Sequence, residues 1–259
     1  STTAAAVPTP VNSSPASTYS AASVPVTSSG GKRGVAFNDV SLVSAFAGKG
    51  GVSWAYNWAS TANNFPSGKG IEFIPMLWGT KDTSNWESVA KKAIDNGATA
   101  LLGFNEPDHY EQANLAVSVA ASAYKSLISD KFGGNPKVRL GSPAVTNGGA
   151  PMGLAYLNSF MSACSGCQVD FVNIHWYDSA SNIEYFKKHV SDAHAQTGKP
   201  VWVTEFGTNG GTDAEINTFL KAVLPWLDAQ DYVERYSYFM ASEGRLISGG
   251  ALSSTGKTY

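Results

Sequence analysis

Short apolar segments recur along this chain from residue 33 onward, and they limit its fold more than any other feature. Stretches of helical character separate them. Buried parallel strands have this short, nearly continuous apolar pattern. Eight such strands alternating with helices predict an α/β protein, a (β/α)8 TIM-type barrel. The predicted strands cover residues 33–37, 52–57, 72–77, 100–106, 138–143, 171–177, 201–206 and 235–240.

Two capping boxes mark the starts of predicted helices. Ser84-Asn-Trp-Glu87 and Thr212-Asp-Ala-Glu215 each place a hydroxyl three residues before a glutamate, ahead of apolar residues at helical spacing. Further helices are predicted at 110–130, 151–163 and 182–197. Residues 58–70 show no helical period, and only nineteen residues follow Met240. We therefore expect an incomplete, irregular ring of helices around the barrel.

The first thirty residues differ in composition from the rest of the chain. Twenty-three of residues 1–30 are Ser, Thr, Ala or Pro, and none is charged. Such a segment cannot bury enough apolar surface to offset the entropy of ordering, so it is predicted to be disordered. Its composition suits O-glycosylation, with a plain linker as the alternative. Residues 31–259 are predicted to form the barrel domain.

The charge of the chain argues against two classes of partner. A net charge of −2 and a pI of about 6.1 provide no electrostatic footprint for nucleic acid or an anionic membrane. No apolar run approaches the ~20 residues of a membrane-spanning helix. With only 15% charged residues, the surface must be rich in Ser, Thr, Asn and Gly, which suits a secreted or cell-wall-associated protein. We expect a monomer.

The two cysteines, Cys164 and Cys167, allow three interpretations. A redox Cys-x-x-Cys usually opens a helix after a strand, whereas this pair lies at the end of a predicted helix. A zinc site needs two more ligands, and none has suitable spacing. A disulfide closing a small loop is favoured.

Two glutamates close predicted strands and are the strongest functional signal. Glu106 ends Ala100-Leu-Leu-Gly-Phe-Asn-Glu106, and Glu205 ends Val201-Trp-Val-Thr-Glu205. Glutamate has low β-propensity and is costly to bury, so both carboxylates are expected at the rim of the sheet. Active groups of parallel barrels lie at that rim, at the C-terminal ends of strands. Paired carboxylates across a bound sugar are the machinery of glycoside hydrolysis.

Structural interpretations compete with this one. Glu106 or Asp108 could face the dipole at a helix N-terminus, which is the favoured role for Asp108. Glu205 could form a buried ion pair with Arg33 or Arg139.

Three motifs resemble those of glycoside hydrolase family 128: Gly-Phe-Asn-Glu-Pro-Asp at 103–108, His-Trp-Tyr at 175–177, and Trp-Val-Thr-Glu-Phe-Gly at 202–207. The likeness extends from about Lys32 to Tyr259. It implies a (β/α)8 barrel that cleaves β-1,3-glucan with retention. It also implies that Glu106 is the acid/base and Glu205 the nucleophile.

Other residues near strand ends are candidates for sugar binding. His175 and Tyr177 alternate on one strand, so both can face the barrel mouth, and Tyr177 could orient Glu205. Tryptophans can stack on pyranose rings, and amides can bond sugar hydroxyls. Core packing is the alternative for each tryptophan and for His175, and a turn is the alternative for Asn57. The full set is Asn57, Asn105, Trp54, Trp58, Trp78, His175, Trp176 and Tyr177.

The paired glutamates predict a double displacement with neither a metal nor a cofactor, and the resemblance to family 128 implies that the substrate is a β-1,3-glucan and the protein an endo-β-1,3-glucanase. The negative charge of Glu205 is expected to raise the pKa of Glu106. One alternative keeps the carboxylates and changes the activity to that of a β-1,4-glucanase, mannanase or transglycosylase. Another is a non-hydrolytic glucan-binding wall protein.

Overall fold

The computed structural model describes residues 31–259, so the predictions for residues 1–30 lie outside the described part of the chain. Eight parallel strands form one sheet in the order β3-β2-β1-β8-β7-β6-β5-β4. They are β1 (Arg33–Phe37), β2 (Trp54–Tyr56), β3 (Glu72–Phe73), β4 (Ala100–Leu101), β5 (Arg139–Val145), β6 (Phe171–Asp178), β7 (Val201–Thr208) and β8 (Val233–Ala241).

The chain segments that follow the two edge strands, β3 and β4, contact each other. Met76 and Leu102 form a parallel bridge. The Leu77 amide donates to the Leu102 carbonyl at 3.1 Å, and the Leu102 amide donates to the Pro75 carbonyl at 2.9 Å. The curled sheet and its helices make a TIM-like barrel, as the sequence predicted.

Strands β2, β3 and β4 are shorter than predicted. The predicted run 72–77 contains Pro75, which has no N–H to donate to a ladder, so regular pairing stops at Phe73. The run 100–106 keeps only Ala100–Leu101 as strand, and Glu106 itself has a φ of +42°. Strands β5 and β7 extend two residues past their predicted ends at 143 and 206, and β6 and β8 extend one residue past theirs at 177 and 240.

The helices are α1 (Trp86–Asp95), α2 (Val117–Tyr124), α3 (Asp130–Phe132), α4 (Gly153–Ala163), α5 (Ile183–Thr197), α6 (Asp213–Ala229) and α7 (Ser254–Thr258). A 3-10 helix, Val40–Phe46, follows β1, and a π-helical turn, Lys125–Ser129, joins α2 to α3. Residues 57–71 contain no helix. After β8 come a short hairpin, β9 (Ile247–Ser248) and β10 (Ala251–Leu252), and then α7.

Only one of the two predicted capping boxes forms. Thr212 accepts from the amide of Glu215, and the Glu215 carboxylate accepts from the amide of Thr212. The Ser84 box was a wrong prediction, because α1 starts one residue later. Its N-cap is Asn85 without a side-chain cap, and the Ser84 hydroxyl donates to Asp82 instead.

Two of the predicted sugar platforms are core residues, which corrects the sequence interpretation. Trp176 is fully buried and stacks on Phe219 of α6, between the sheet and the helices. Trp54 is also fully buried, inside the barrel, where it packs on Trp202 with ring centroids 5.4 Å apart. Neither ring can reach a sugar. The alternation of side chains along β2 and β6 directs each ring into a packed layer of the core.

The structure confirms the disulfide that was favoured for the two cysteines. Cys164 and Cys167 form a disulfide across the turn between α4 and β6. Among residues 31–259, no helix combines the length and the apolar character needed to cross a bilayer.

Candidate active site

Glu106 and Glu205 converge at the mouth of the barrel. One carboxylate oxygen of each, together with a ring nitrogen of His175, lie within 4.8 Å of one another. Retaining glycosidases hold their two carboxyl groups ~5–5.5 Å apart, whereas inverting enzymes leave about 6.5–9.5 Å for a water. The separation here fits a direct attack by one carboxylate.

Glu205 reaches the mouth because of a β-bulge. The pairing of β6 with β7 runs from Ile174 and Val203 to His175 and Glu205, which leaves Thr204 as an extra residue on β7. Trp202 points into the barrel. Strict alternation would have placed Glu205 on the other face of the sheet, which packs against the helices. A bulge re-aims the side chains that follow it, and bulges occur often beside active sites.

Both oxygens of Glu205 accept a hydrogen bond from an aromatic side chain. The Trp58 indole donates to Oε1 at 2.7 Å, and the Tyr177 hydroxyl donates to Oε2 at 2.6 Å. Burial and the charge of Glu205 raise the pKa of Tyr177, so this hydroxyl keeps its proton and remains a donor. The geometry fits the orienting role expected of Tyr177. These bonds fix the direction of the carboxylate in a buried setting.

The ion pairs considered for Glu205 do not form. Arg139 pairs with Glu234, and Arg33 lies 3.7 Å from Asp228. Both arginines are the first residues of their strands, β1 and β5, at the end of the barrel opposite the mouth.

Asn57 serves the turn that presents Trp58. Its side chain donates to the Thr61 carbonyl at 3.0 Å and accepts from the Ala59 amide at 3.2 Å. Trp58 has a φ of +57°, which a bulky residue adopts only when its surroundings require it. Asn57 thus has the role of the alternative, a turn, and it is not among the residues that line the cavity described below.

Glu106 is held by its own backbone and by the neighbouring strand. Its amide donates to the Ala144 carbonyl of β5 at 2.7 Å, and its carbonyl accepts from the His109 amide at 3.0 Å. These bonds hold the unfavourable positive φ. Strained non-glycine backbone of this kind clusters at active sites, where the surrounding structure compensates for it.

Asp108 stabilises the loop after Glu106. It accepts from the Thr146 hydroxyl at 2.6 Å and from the amide of Gly153, the first residue of α4, at 2.8 Å. The interpretation of a carboxylate at a helix N-terminus is therefore confirmed for Asp108, although the helix is α4 rather than one directly after the strand.

His175 links the two glutamates. Its Nδ1 lies 2.7 Å from Oε1 of Glu106 and 3.6 Å from Oε2 of Glu205, and its Nε2 lies 3.0 Å from the Thr204 hydroxyl. Burial lowers the pKa of this imidazole, but the charge of Glu205 and the hydrogen bond to Glu106 outweigh burial and raise it. His175 is buried as the core alternative required, yet it contacts both carboxylates.

The pKa of Glu106 shifts in the direction opposite to the expectation. Burial raises it, but the hydrogen bond and the positive charge of His175 outweigh burial and lower the pKa of this carboxyl. The sequence argument considered only the repulsion from Glu205 and left out the imidazole between the two acids. In the unliganded site the shared proton therefore favours His175.

A cavity of about 590 Å³ lies over these groups. Trp58, Trp78, Asn105 and both glutamates line it, so the structure brings these predicted residues together. The Asn105 amide donates to Gln112 at 3.0 Å, while its buried carbonyl oxygen has no hydrogen-bond partner among residues 31–259.

Comparison with known proteins identifies the family of this chain. A family model described as the glycosyl hydrolase catalytic core matches residues 34–259. A glycoside hydrolase family 128 (subgroup III) enzyme from Blastomyces gilchristii is 42% identical, with a TM-score of 0.82 over 88% of this chain and 96% of that one. This chain belongs to glycoside hydrolase family 128.

Further relatives of this glycoside hydrolase were found. The Blastomyces structure is described as a curdlan-specific exo-β-1,3-glucanase in complex with glucose. A subgroup I endo-β-1,3-glucanase from Amycolatopsis mediterranei, in complex with laminaritriose, is 32% identical, with a TM-score of 0.76 over 88% of this chain and 98% of that one. Alkali-sensitive linkage protein 1 of Schizosaccharomyces pombe is 34% identical over 250 residues, which cover 88% of this chain. The match spans only 44% of that protein.

Several cavity-lining residues of the glycoside hydrolase were not predicted from sequence. His109 and Gln112 lie in a loop after Glu106; Gln112 had been assigned to a helix at 110–130, but α2 begins at Val117. Thr146 and Asn147 directly follow β5 and could have been found by reading past each strand end. Phe239 is part of β8.

Glu106, His175 and Glu205 form the one cluster in the described chain with the spacing of a metal site. Their ligand atoms already bond to each other or to aromatic donors. The same donor set can move a proton between a carboxyl and an imidazole.

Proposed function

We propose that this family 128 chain is a retaining hydrolase of β-1,3-glucan, with Glu205 as nucleophile and Glu106 as acid/base. The supporting observation is the approach of the two carboxylates within 4.8 Å at one cavity. The substrate assignment draws on relatives described as β-1,3-glucanases, one of them in complex with laminaritriose.

In the first step, Glu205 attacks the anomeric carbon and forms a glycosyl ester, while Glu106 donates a proton to the departing oxygen. Before this step Glu106 must carry a proton, and the shared proton favours His175. A sugar that displaces water strengthens the desolvation of Glu106, and desolvation raises a carboxyl pKa. Substrate binding therefore shifts the shared proton from His175 toward Glu106.

In the second step, ionised Glu106 accepts a proton from water, which attacks the ester and releases Glu205. The hydrogen bond with His175 favours this ionised form. The side-chain amide of Asn105, which lines the cavity, is the proposed contact for a hydroxyl of the sugar at the reacting position. Hydrogen bonds to the 2-hydroxyl strengthen in the transition states of such reactions.

The mode of attack has two candidates. An endo mode, as predicted from sequence, is supported by a second cavity of about 260 Å³, which shares Trp58 and Trp78 with the first and so continues the cleft. An exo mode is supported by the higher identity to the exo-acting relative, 42% against 32% for the endo-acting one.

Action outside the cell is a further part of the proposal. A disulfide between Cys164 and Cys167 persists more readily in an oxidising compartment, as for secreted and wall-associated proteins.

Product analysis on laminarin and curdlan tests the assignment. We expect the β-anomer as the first product by proton NMR, since two displacements restore the configuration. An early mixture of oligosaccharides indicates endo action, and glucose alone indicates exo action. A first product of α configuration, or cleavage of β-1,4-glucan or mannan in place of β-1,3-glucan, contradicts the proposal.

A further inference from the structure

Tyr110 is the most exposed large hydrophobic side chain in the described chain. It is 75% exposed, compared with 49% for Val119 and 38% for Tyr185. The structure accounts for Tyr185, whose hydroxyl donates to the Asn147 carbonyl and whose ring packs edge-on against Trp176. Tyr110 instead stacks on the imidazole of His109, with centroids 5.1 Å apart and planes 13° apart.

The loop that carries this pair is ordered by its own hydrogen bonds. The Gln112 amide donates to the His109 carbonyl at 3.1 Å, and the Leu115 amide donates to the Pro107 carbonyl at 2.9 Å. The Glu111 amide donates to Nδ1 of His109 at 3.1 Å, which sets the orientation of the ring. A flat aromatic surface is therefore displayed before any ligand arrives, and preorganisation lowers the entropic cost of binding.

The position of the pair defines what it could bind. His109 lines the catalytic cavity, three residues after Glu106 on the same loop. Glu106 protonates the oxygen of the leaving sugar, so the leaving part of the glucan lies on the side of this loop. Tyr110 follows His109 in the chain and stacks on its imidazole, but it does not itself line the cavity.

We propose that Tyr110, backed by His109, is a stacking platform for a glucosyl unit on the leaving-group side of the cleft, beyond the sugar released at the scissile bond. The proposal rests on the proposed function. An aromatic face matches the apolar face of a pyranose ring. Tyr110 thereby favours long β-1,3-glucan chains over short ones.

Substrate length tests the proposal. Tyr110→Ala is expected to lower kcat/KM on laminari-oligosaccharides that extend past the platform by about fivefold, the factor given by about 1 kcal/mol of aromatic contact. It is expected to leave unchanged the hydrolysis of an aryl β-laminarioside, whose leaving group is a small phenol. Tyr110→Phe keeps the ring and is expected to keep the activity. Val119 is an exposed apolar residue on α2, and Val119→Ala serves as the control. It is expected to leave kcat/KM unchanged on both substrates.

The outcomes separate this inference from the function itself. If Tyr110→Ala leaves kcat/KM on the long chains unchanged, or lowers kcat/KM equally on both substrates, the platform proposal is wrong while the hydrolase assignment stands. A loss in Tyr110→Phe equal to that in Tyr110→Ala also overturns the platform, because the ring would not be the contact. If the wild-type protein cleaves neither substrate, the proposed function fails, and the platform fails with it.

Discussion

The two halves of the barrel mouth position their functional groups in different ways. On one side, β6 and β7 are eight-residue strands paired along their length, and they present His175, Tyr177 and Glu205. On the other side, β2, β3 and β4 have only two or three residues each. There Trp58 and Glu106 both adopt a positive φ on irregular backbone. The proposed nucleophile thus lies on a paired strand, just after the bulge at Thr204, and the proposed acid lies on a loop with a positive φ.

This contrast suits the two roles. A nucleophile must stay in one place through both displacements, which extended strand pairing favours. An acid/base must exchange protons with water and with a departing sugar, and Glu106, the proposed acid/base, lies where the chain has left the sheet. The side chain of Glu205 is 8% exposed and that of Glu106 is 12% exposed.

The largest expected effect is on the strand side. Glu205→Gln should lower turnover on β-1,3-glucan by at least about 10³-fold, because an amide cannot form the glycosyl ester. The thermal midpoint should change little, since the side chain keeps its shape. Reducing-sugar release and calorimetry measure the two. Glu184→Gln, whose carboxylate is 87% exposed on α5, is the control. Turnover close to that of the wild type would remove Glu205 from the mechanism.

The loop side should respond to the leaving group. Glu106→Gln should lose about 10²–10⁴-fold on glucan, the range for losing a general acid or base. With a dinitrophenyl glycoside, the leaving group needs no proton, so ester formation should recover in Glu106→Gln and remain absent in Glu205→Gln. A burst of dinitrophenol measures that step. An equal loss on both substrates would show that Glu106 is not the acid.

His175 joins the two sides, and its removal should appear in the pH profile. Its pKa is raised above 6.5, so the shared proton is retained past that pH in the wild type. In His175→Asn the proton must reside on Glu106 alone, and a carboxyl releases it at lower pH. The basic limb of kcat/KM should therefore move to lower pH, with activity about tenfold or more below that of the wild type. If the basic limb stays at the same pH in His175→Asn, a group other than His175 is responsible for it.

The sequence predicted the strand side better than the loop side, for a physical reason. Apolar runs and two-residue alternation identified β5 to β8 and put His175 and Tyr177 on one face. The same alternation gives the wrong face to Glu205, because the bulge at Thr204 arises from pairing with β6 and leaves no local pattern. His109 and Gln112 were missed because their loop is held by backbone bonds from Ala113 to Asn105 and from Leu115 to Pro107, which leave no periodic pattern in the sequence. The pKa of Glu106 likewise required the position of His175.

Smaller effects than those of the two glutamates should come from the two donors to Glu205, one from each side. Tyr177→Phe and Trp58→Phe each remove one hydrogen bond to the carboxylate and keep a ring. A bond to a charged group is worth about 1.5–3 kcal/mol, which corresponds to about 10- to 100-fold in kcat/KM. Circular dichroism should show an unchanged fold in both variants.

Asn57→Ala separates the strand donor from the loop donor. Asn57 orders the turn that presents Trp58, so its loss should weaken only the Trp58 bond, by a few-fold. In a Trp58→Phe background Asn57→Ala should therefore add almost nothing, while in a Tyr177→Phe background its effect should add in full. The double-mutant cycle on kcat/KM measures both. Equal additivity in the two backgrounds would mean that the turn does not position Trp58, and that the loop side is held by its backbone bonds alone.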